Sequence, residues 1–214
     1  MLDYIWIDDK SPILSQLPNN FKSAAILLHP FIQMPWGWEN SKGKSTREHI
    51  YPSDKEALLR GKPVRWEEIV HQSGLKNIEE MAIALKTSIV AISREYAKED
   101  LAEKLNLGIK VDQYYPDEDF TSVFLVSDLL HVLSSKGATR LYYSYPLLDK
   151  FGALEMKNIN PLDVCQLSLN ELMITDENMD FAFMNVSDSF ITIFMTKHDN
   201  IIDIIKSVNC EAIV

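Results

Sequence analysis

Five histidines, His29, His49, His71, His131 and His198, are the first residues of this 214-residue chain to ask about chemistry. None stands in a His-Glu-x-x-His, His-x-His or His-x-x-x-His arrangement, so no local pair has metal-ligand spacing. His131 follows Asp128 by three residues on a predicted helix, which puts both side chains on one face. A carboxylate that orients an imidazole is a component of general-base sites, and also a common structural pair. His29 sits between an apolar run and Pro30, beside a loop carrying Trp36 and Trp38. Aromatic walls with one titratable group suit a small-molecule pocket. A buried histidine with its hydrogen bonds satisfied is the plainer reading. His29, Trp36, Trp38, Asp128 and His131 are therefore the candidate ligand-binding residues.

Two other constellations hint at chemistry and fall short. Gly37-Trp-Glu-Asn-Ser-Lys-Gly43-Lys44-Ser45 resembles a phosphate-binding loop but places five residues, not four, between the glycines. Asp8-Asp9 follows the strand-like Tyr4-Ile-Trp-Ile, where paired acids could hold Mg²⁺ in a parallel α/β fold that the remaining sequence does not describe. No Gly-x-Ser-x-Gly elbow occurs. Cys165 and Cys210 lie 45 residues apart without a nearby histidine, and Glu211 would raise the Cys210 pKa rather than activate it. No catalytic residue, metal site or cofactor is assigned, and the enzyme question stays open.

The elements that must position these residues change character along the chain. Residues 3–8 read as a strand, 23–28 as a buried strand or short helix, and 29–52 as irregular. Ser53 with Glu56 makes a capping box for a helix to about Arg60. A second helix covers 65–73, stopped by Gly74. Ile78, Met81, Ala82, Leu85, Ile89, Ile92 and Tyr96 predict one long amphipathic helix. Shorter helices follow at 100–107 and 118–135, the latter with Phe120 among its inward residues. From Arg140 onward β-formers dominate. Residues 140–145 are rich in them, and runs at 170–175, 180–186 and 189–196, separated by short turns, predict an antiparallel meander. Asp199 caps a last helix. The methionines of this half serve as core filler behind the sheet or as an adaptable binding face. The expectation is α+β, with a helical N-terminal and middle region packed on a C-terminal antiparallel sheet. One domain over 1–214, with a soft internal boundary near 137, fits the length.

Composition excludes several classes. Hydrophobic residues are 46% and charged residues 24%, which describes a globular chain. The net charge is −10, and residues 108–214 hold 16 acids against 7 bases. Such a surface repels nucleic acid and anionic membranes and attracts a basic protein. The N-terminus lacks a basic, then apolar, signal pattern, and the apolar run at 24–32 falls short of the ~20 residues of a membrane helix. A cytoplasmic protein with reduced thiols is expected.

Leu27-Leu-His-Pro-Phe-Ile-Gln-Met-Pro-Trp-Gly-Trp38 resembles the signature of an uncharacterised family of Gram-positive bacteria, a resemblance that covers most of the chain and implies no activity. Glu171-Leu-Met-Ile-Thr-Asp-Glu-Asn-Met-Asp-Phe-Ala-Phe183 is similar to the C-terminal parts of toxin-immunity proteins, which implies a small acidic protein that masks a basic toxin. The leading expectation is thus a non-catalytic interaction protein whose acidic C-terminal sheet face engages a basic protein partner. The alternative is an enzyme or sensor with a pocket around His29, Trp36 and Trp38. A homodimer paired through an exposed sheet edge is a third reading.

Overall fold

Where sequence periodicity switches from helical to strand-like, a computed structural model shows both kinds of element. It describes residues 2–8, 10–42, 51–167, 171–198, 200–208 and 210–214. In chain order they are α1 (Ile13–Gln16), β1 (Ser23–Leu28), β2 (Phe31–Gln33), α2 (Asp54–Arg60), β3 (Lys62–Val64), α3 (Trp66–Ser73), α4 (Ile78–Ser88), α5 (Glu99–Gly108), β4 (Gln113–Tyr114), α6 (Val123–Ser135), β5 (Arg140–Tyr145), β6 (Lys150–Glu155), α7 (Pro161–Cys165), β7 (Met173–Asp176), β8 (Phe181–Asn185), β9 (Ile191–Thr196), α8 (Ile201–Val208) and β10 (Ala212–Ile213). The class is α+β, as expected, and the strand pairings are antiparallel. The chain divides into two compact units, Met1–His29 with Asp117–Val214, and Pro30–Pro116. Residue 137 lies inside the first unit.

The first unit is built on a seven-stranded sheet of order β10-β1-β9-β8-β7-β5-β6. Period-2 alternation gives each central strand two buried faces. Phe181, Phe183 and Phe194 face a core shared with Leu125, Leu129 and Leu133 of α6 and Ile201 and Ile204 of α8. Their neighbours Ala182, Met184, Ile193 and Met195 face a second core with Tyr4, Leu17 and Phe21. Met173, Met184 and Met195 are thus core residues. Because β7 and β8 are buried along their whole length, these central strands offer no open acidic face of the kind expected. α6 ends in a Schellman arrangement: Gly137 at φ +90° lets Ala138 N donate to Leu133 O. Phe120, expected inside this helix, precedes it and is exposed.

In this unit one reading changes, one is decided between its two alternatives, and one strand is added. Residues 3–8 form no strand; Tyr4 instead packs into the second core. The 23–28 segment is a strand, inserted between β9 and β10 with Ile26 opposite both Ile193 and Ile213. β6 was not foreseen, because Lys150–Glu155 lies at the sheet edge and buries too little to show alternation.

The second unit carries a three-stranded sheet, β3-β2-β4, whose middle strand lies in the stretch read as irregular, together with α2 to α5. The Ser53–Glu56 capping box is present. α4 stops at Ser88, well before Tyr96. Val90 has φ +61°, which no helix continues through, and the Thr87 hydroxyl accepts from Lys98 N at 3.1 Å, turning the chain toward α5.

Candidate functional site

Acidic side chains excluded from the covered sheet collect at one of its ends. Glu118 and Asp119 lie in the segment before α6, Asp188 in the β8–β9 turn, and Glu171 just before β7. Asn185 ties these pieces together. Its Oδ1 accepts from Leu172 N at 2.7 Å, its Nδ2 donates to Asp119 O, and its own carbonyl accepts from the Tyr4 hydroxyl at 2.9 Å. Asp119 clamps the turn: Asp188 N donates to its Oδ1, and its N donates to Ser189 O at 3.1 Å. Carboxylate oxygens of Glu118, Asp119 and Asp188 consequently all lie within 4.8 Å of one another.

The electrostatics follow from this crowding. Burial and then the charges of Asp119 and Asp188 raise the Glu118 pKa. Asp119 is raised by burial and by Asp188 and Glu171, against the hydrogen bond from Asp188 N. The Tyr4 hydroxyl is pushed up to about 12 by burial and the Glu171 charge. Glu171 itself is only 6% exposed. Ser187 Oγ donates to its Oε1 at 2.5 Å, while Oε2 has no hydrogen-bond partner among the described residues. Among those residues no lysine or arginine forms an ion pair with any of the four acids.

The residues singled out from sequence fall in different units. His29 is a core residue of the first unit, with Nδ1 2.9 Å from Asp117 O and Nε2 2.9 Å from Thr192 Oγ1. Burial depresses its pKa to about 4. Trp36 and Trp38 belong to the second unit. Trp36 is 82% exposed, whereas Trp38 is buried edge-on against Tyr114. They border a pocket of about 130 Å³ with Glu39, Val111, Asp112 and Tyr114, where the Tyr114 hydroxyl donates to Glu39 Oε1 at 2.7 Å.

Asp128 takes Cys210 as its hydrogen-bond partner: Sγ donates to Oδ2 at 3.5 Å, while His131 is exposed. Burial and the Asp128 charge push the Cys210 thiol up to about 12, so it is no nucleophile. Asp8 Oδ1 accepts from Lys10 N and Ser11 N, making a polar turn. Asp9, the Gly43-Lys44-Ser45 part of the loop, His49 and Asp199 lie outside the described residues.

Residues 9–214 match the family described as "Protein of unknown function (DUF2711)". The chain belongs to the DUF2711 family. It is also 46% identical to "Uncharacterized protein YwbB" of Bacillus subtilis (strain 168), over 214 residues that are all of this chain and 95% of that protein. The family resemblance read from 27–38 holds; the likeness of 171–183 to immunity proteins is not among what these matches show. No solved structure matches the chain. No helix among the described residues is long and apolar enough to cross a membrane. Sequence reading missed the acidic end of this DUF2711 chain. Its traces were the Asp117-Glu118-Asp119 run and the Ser187-Asp188 turn, 69 residues apart, with nothing local to pair them.

Proposed function

We propose that this DUF2711 protein is a non-catalytic binding protein whose first unit engages a basic protein partner. Charge segregation carries the reading. The first unit contains 18 Asp and Glu against 8 Lys and Arg, a net of −10, while Pro30–Pro116 contains 13 of each. A field of one sign on one unit steers an oppositely charged partner and penalises wrong ones. Since the central strands are covered, the contact falls on the loops, including the acidic end at Glu118, Asp119 and Asp188. Cys165 and Cys210 are not joined in a disulfide, which supports residence in a reducing cytoplasm.

The pocket beside Trp36 supports a second, small-ligand reading. An aromatic face next to Glu39 and Asp112 suits an organic cation. Ligand pockets usually offer about 300–1,000 Å³, so 130 Å³ leaves room for one ammonium-sized group rather than a metabolite. That difference places the partner reading first.

Native mass spectrometry of the full chain isolated from its own cells, with capture repeated at about 50 mM and about 500 mM salt, separates the two. The expected result is a bound protein rich in Lys and Arg that is lost at high salt. A neutral or acidic partner, or one retained equally at both salts, overturns the electrostatic reading. A reproducible small cationic adduct shifts the assignment to the Trp36 pocket, and a bare chain at both salts overturns both.

A further inference from the structure

We propose that the chain forms a two-fold homodimer by pairing β6 (Lys150–Glu155) with β6 of a second copy, antiparallel and edge to edge. β6 is one edge of the seven-stranded sheet, and its register with β5 runs unbroken from Lys150 to Glu155. Just past it, Met156 N donates to Thr139 O at 2.9 Å in that same register. Antiparallel bonding alternates from residue to residue, so it fixes which way each group aims. Lys150, Gly152 and Leu154 bond β5, while Phe151, Ala153 and Glu155 aim their N–H and C=O groups away from the sheet. Among the described residues nothing pairs with these outward groups. Natural edges are blunted by shortness, proline, a bulge or a charge in mid-strand. β10, the opposite edge, is only two residues long. β6 has six residues and charges only at its two ends, with Phe151, Gly152, Ala153 and Leu154 between them and Phe151 66% exposed.

A second copy satisfies this edge in one register. A two-fold axis normal to the sheet, passing between the two Ala153 residues, sets Ala153 opposite Ala153 and Phe151 opposite Glu155 of the second copy. Each such pair exchanges two hydrogen bonds, so every outward N–H and C=O of β6 is met. The neighbouring two-fold register, centred on Gly152, leaves Glu155 with no strand residue opposite it. In the first register Phe151 lies against the second copy's Arg140–Glu155 pair, held at 2.6 Å, where a guanidinium meets an aromatic ring favourably. On the other face Gly152 stands opposite Leu154 of the second copy. Tyr143 leans across Gly152, where a Cβ would stand 2.6 Å from the tyrosine hydroxyl oxygen, and so offers that leucine a ring to pack on.

Local charge selects a copy over a basic partner. Residues 140–157 hold Arg140, Lys150 and Lys157 against Asp149 and Glu155, within a unit of 18 acids and 8 bases. The β5–β6 hairpin is therefore a place where two acidic copies meet without repulsion, and it holds nothing to attract a cationic surface. The dimer goes beyond the protein-partner reading and does not rest on it.

The test is sedimentation velocity of the full chain from about 1 to about 100 μM, with amide exchange measured at both ends of that range. A reversible monomer–dimer equilibrium is expected, in keeping with a contact at the small end of interface sizes. In the dimer the amides of Phe151, Ala153 and Glu155 should exchange at least about tenfold more slowly than in the monomer, while those of Gly152 and Leu154 are slow in both. Ala153→Pro removes an outward N–H, a change that edge strands tolerate, so the Tm at about 1 μM should hold while dimerisation weakens about tenfold or more. Phe151→Lys, a surface charge in mid-edge, should weaken it likewise. Raising NaCl from about 50 to about 500 mM should strengthen the dimer, since each copy carries a net charge of −10. A chain still monomeric at about 100 μM overturns the proposal, as does a dimer untouched by both variants. Exchange at Phe151, Ala153 and Glu155 that ignores concentration overturns it too, and a dimer dispersed by salt would place the contact at charged loops instead.

Discussion

His29 shows how far burial can move one residue. Fully enclosed, with both ring nitrogens bonded, it holds its pKa at about 4 in the folded protein, against about 6.5 in an unfolded chain. Between those values the unfolded chain binds a proton that the folded one refuses. Its contribution is therefore complete above pH 6.5 and is lost as the pH falls toward 4, amounting to about 3 kcal/mol. Glu118, Asp119 and Asp128 act in the opposite sense, because their raised pKa values make the folded state the better proton acceptor on acidification. In urea unfolding followed from pH 7 to 4.5, wild type should lose more stability than His29→Gln, although the variant starts lower at pH 7. Parallel pH profiles for the two proteins would refute the assignment.

The helices of the second unit meet at a glycine. Gly108 closes α5, and a Cβ built on it would stand 2.5 Å from both Cα and Cβ of Ser73 at the end of α3. Alanine is the better helix former by about 1 kcal/mol, yet this contact is backbone against helix and cannot yield like a flexible side chain. Gly108→Ala is expected to lower stability by about 2 kcal/mol, as overpacking does. Denaturant midpoints read the change; an unaltered or raised midpoint would show that α3 and α5 shift apart freely. The same scale explains the early end of α4. Its apolar spacing runs on to Tyr96, but Val90 in the left-handed region and the Thr87 to Lys98 hydrogen bond turn the chain first. Periodicity marks where a helix is compatible with the sequence, while competing local bonds decide where it ends.

Across the molecule, self-repulsion is confined to the first unit, which carries all of the net charge. Raising NaCl from about 10 to about 150 mM shortens the Debye length from roughly 30 to 8 Å and should stabilise the protein. Chemical unfolding in urea at the two salts measures it, and a midpoint that falls with salt would mean that exposed ion pairs such as Arg140–Glu155 dominate.

Much of this architecture was legible locally. The Ser53–Glu56 box, Gly74 and Gly137 mark helix ends by their own chemistry, and the alternation through 181–196 marks β8 and β9. These signals depend on neighbours within about four residues, where geometry follows from the chain itself. What folding alone decided is who meets whom. Ser23–Leu28 pairs with a strand near the opposite end of the chain. His29 bonds Thr192, Asp128 takes Cys210 rather than His131, and Asp119 meets Asp188. Such contacts arise because both faces of the sheet must be covered at once. Burying them drives the acids out to the strand ends, and no local period encodes which strand ends then coincide.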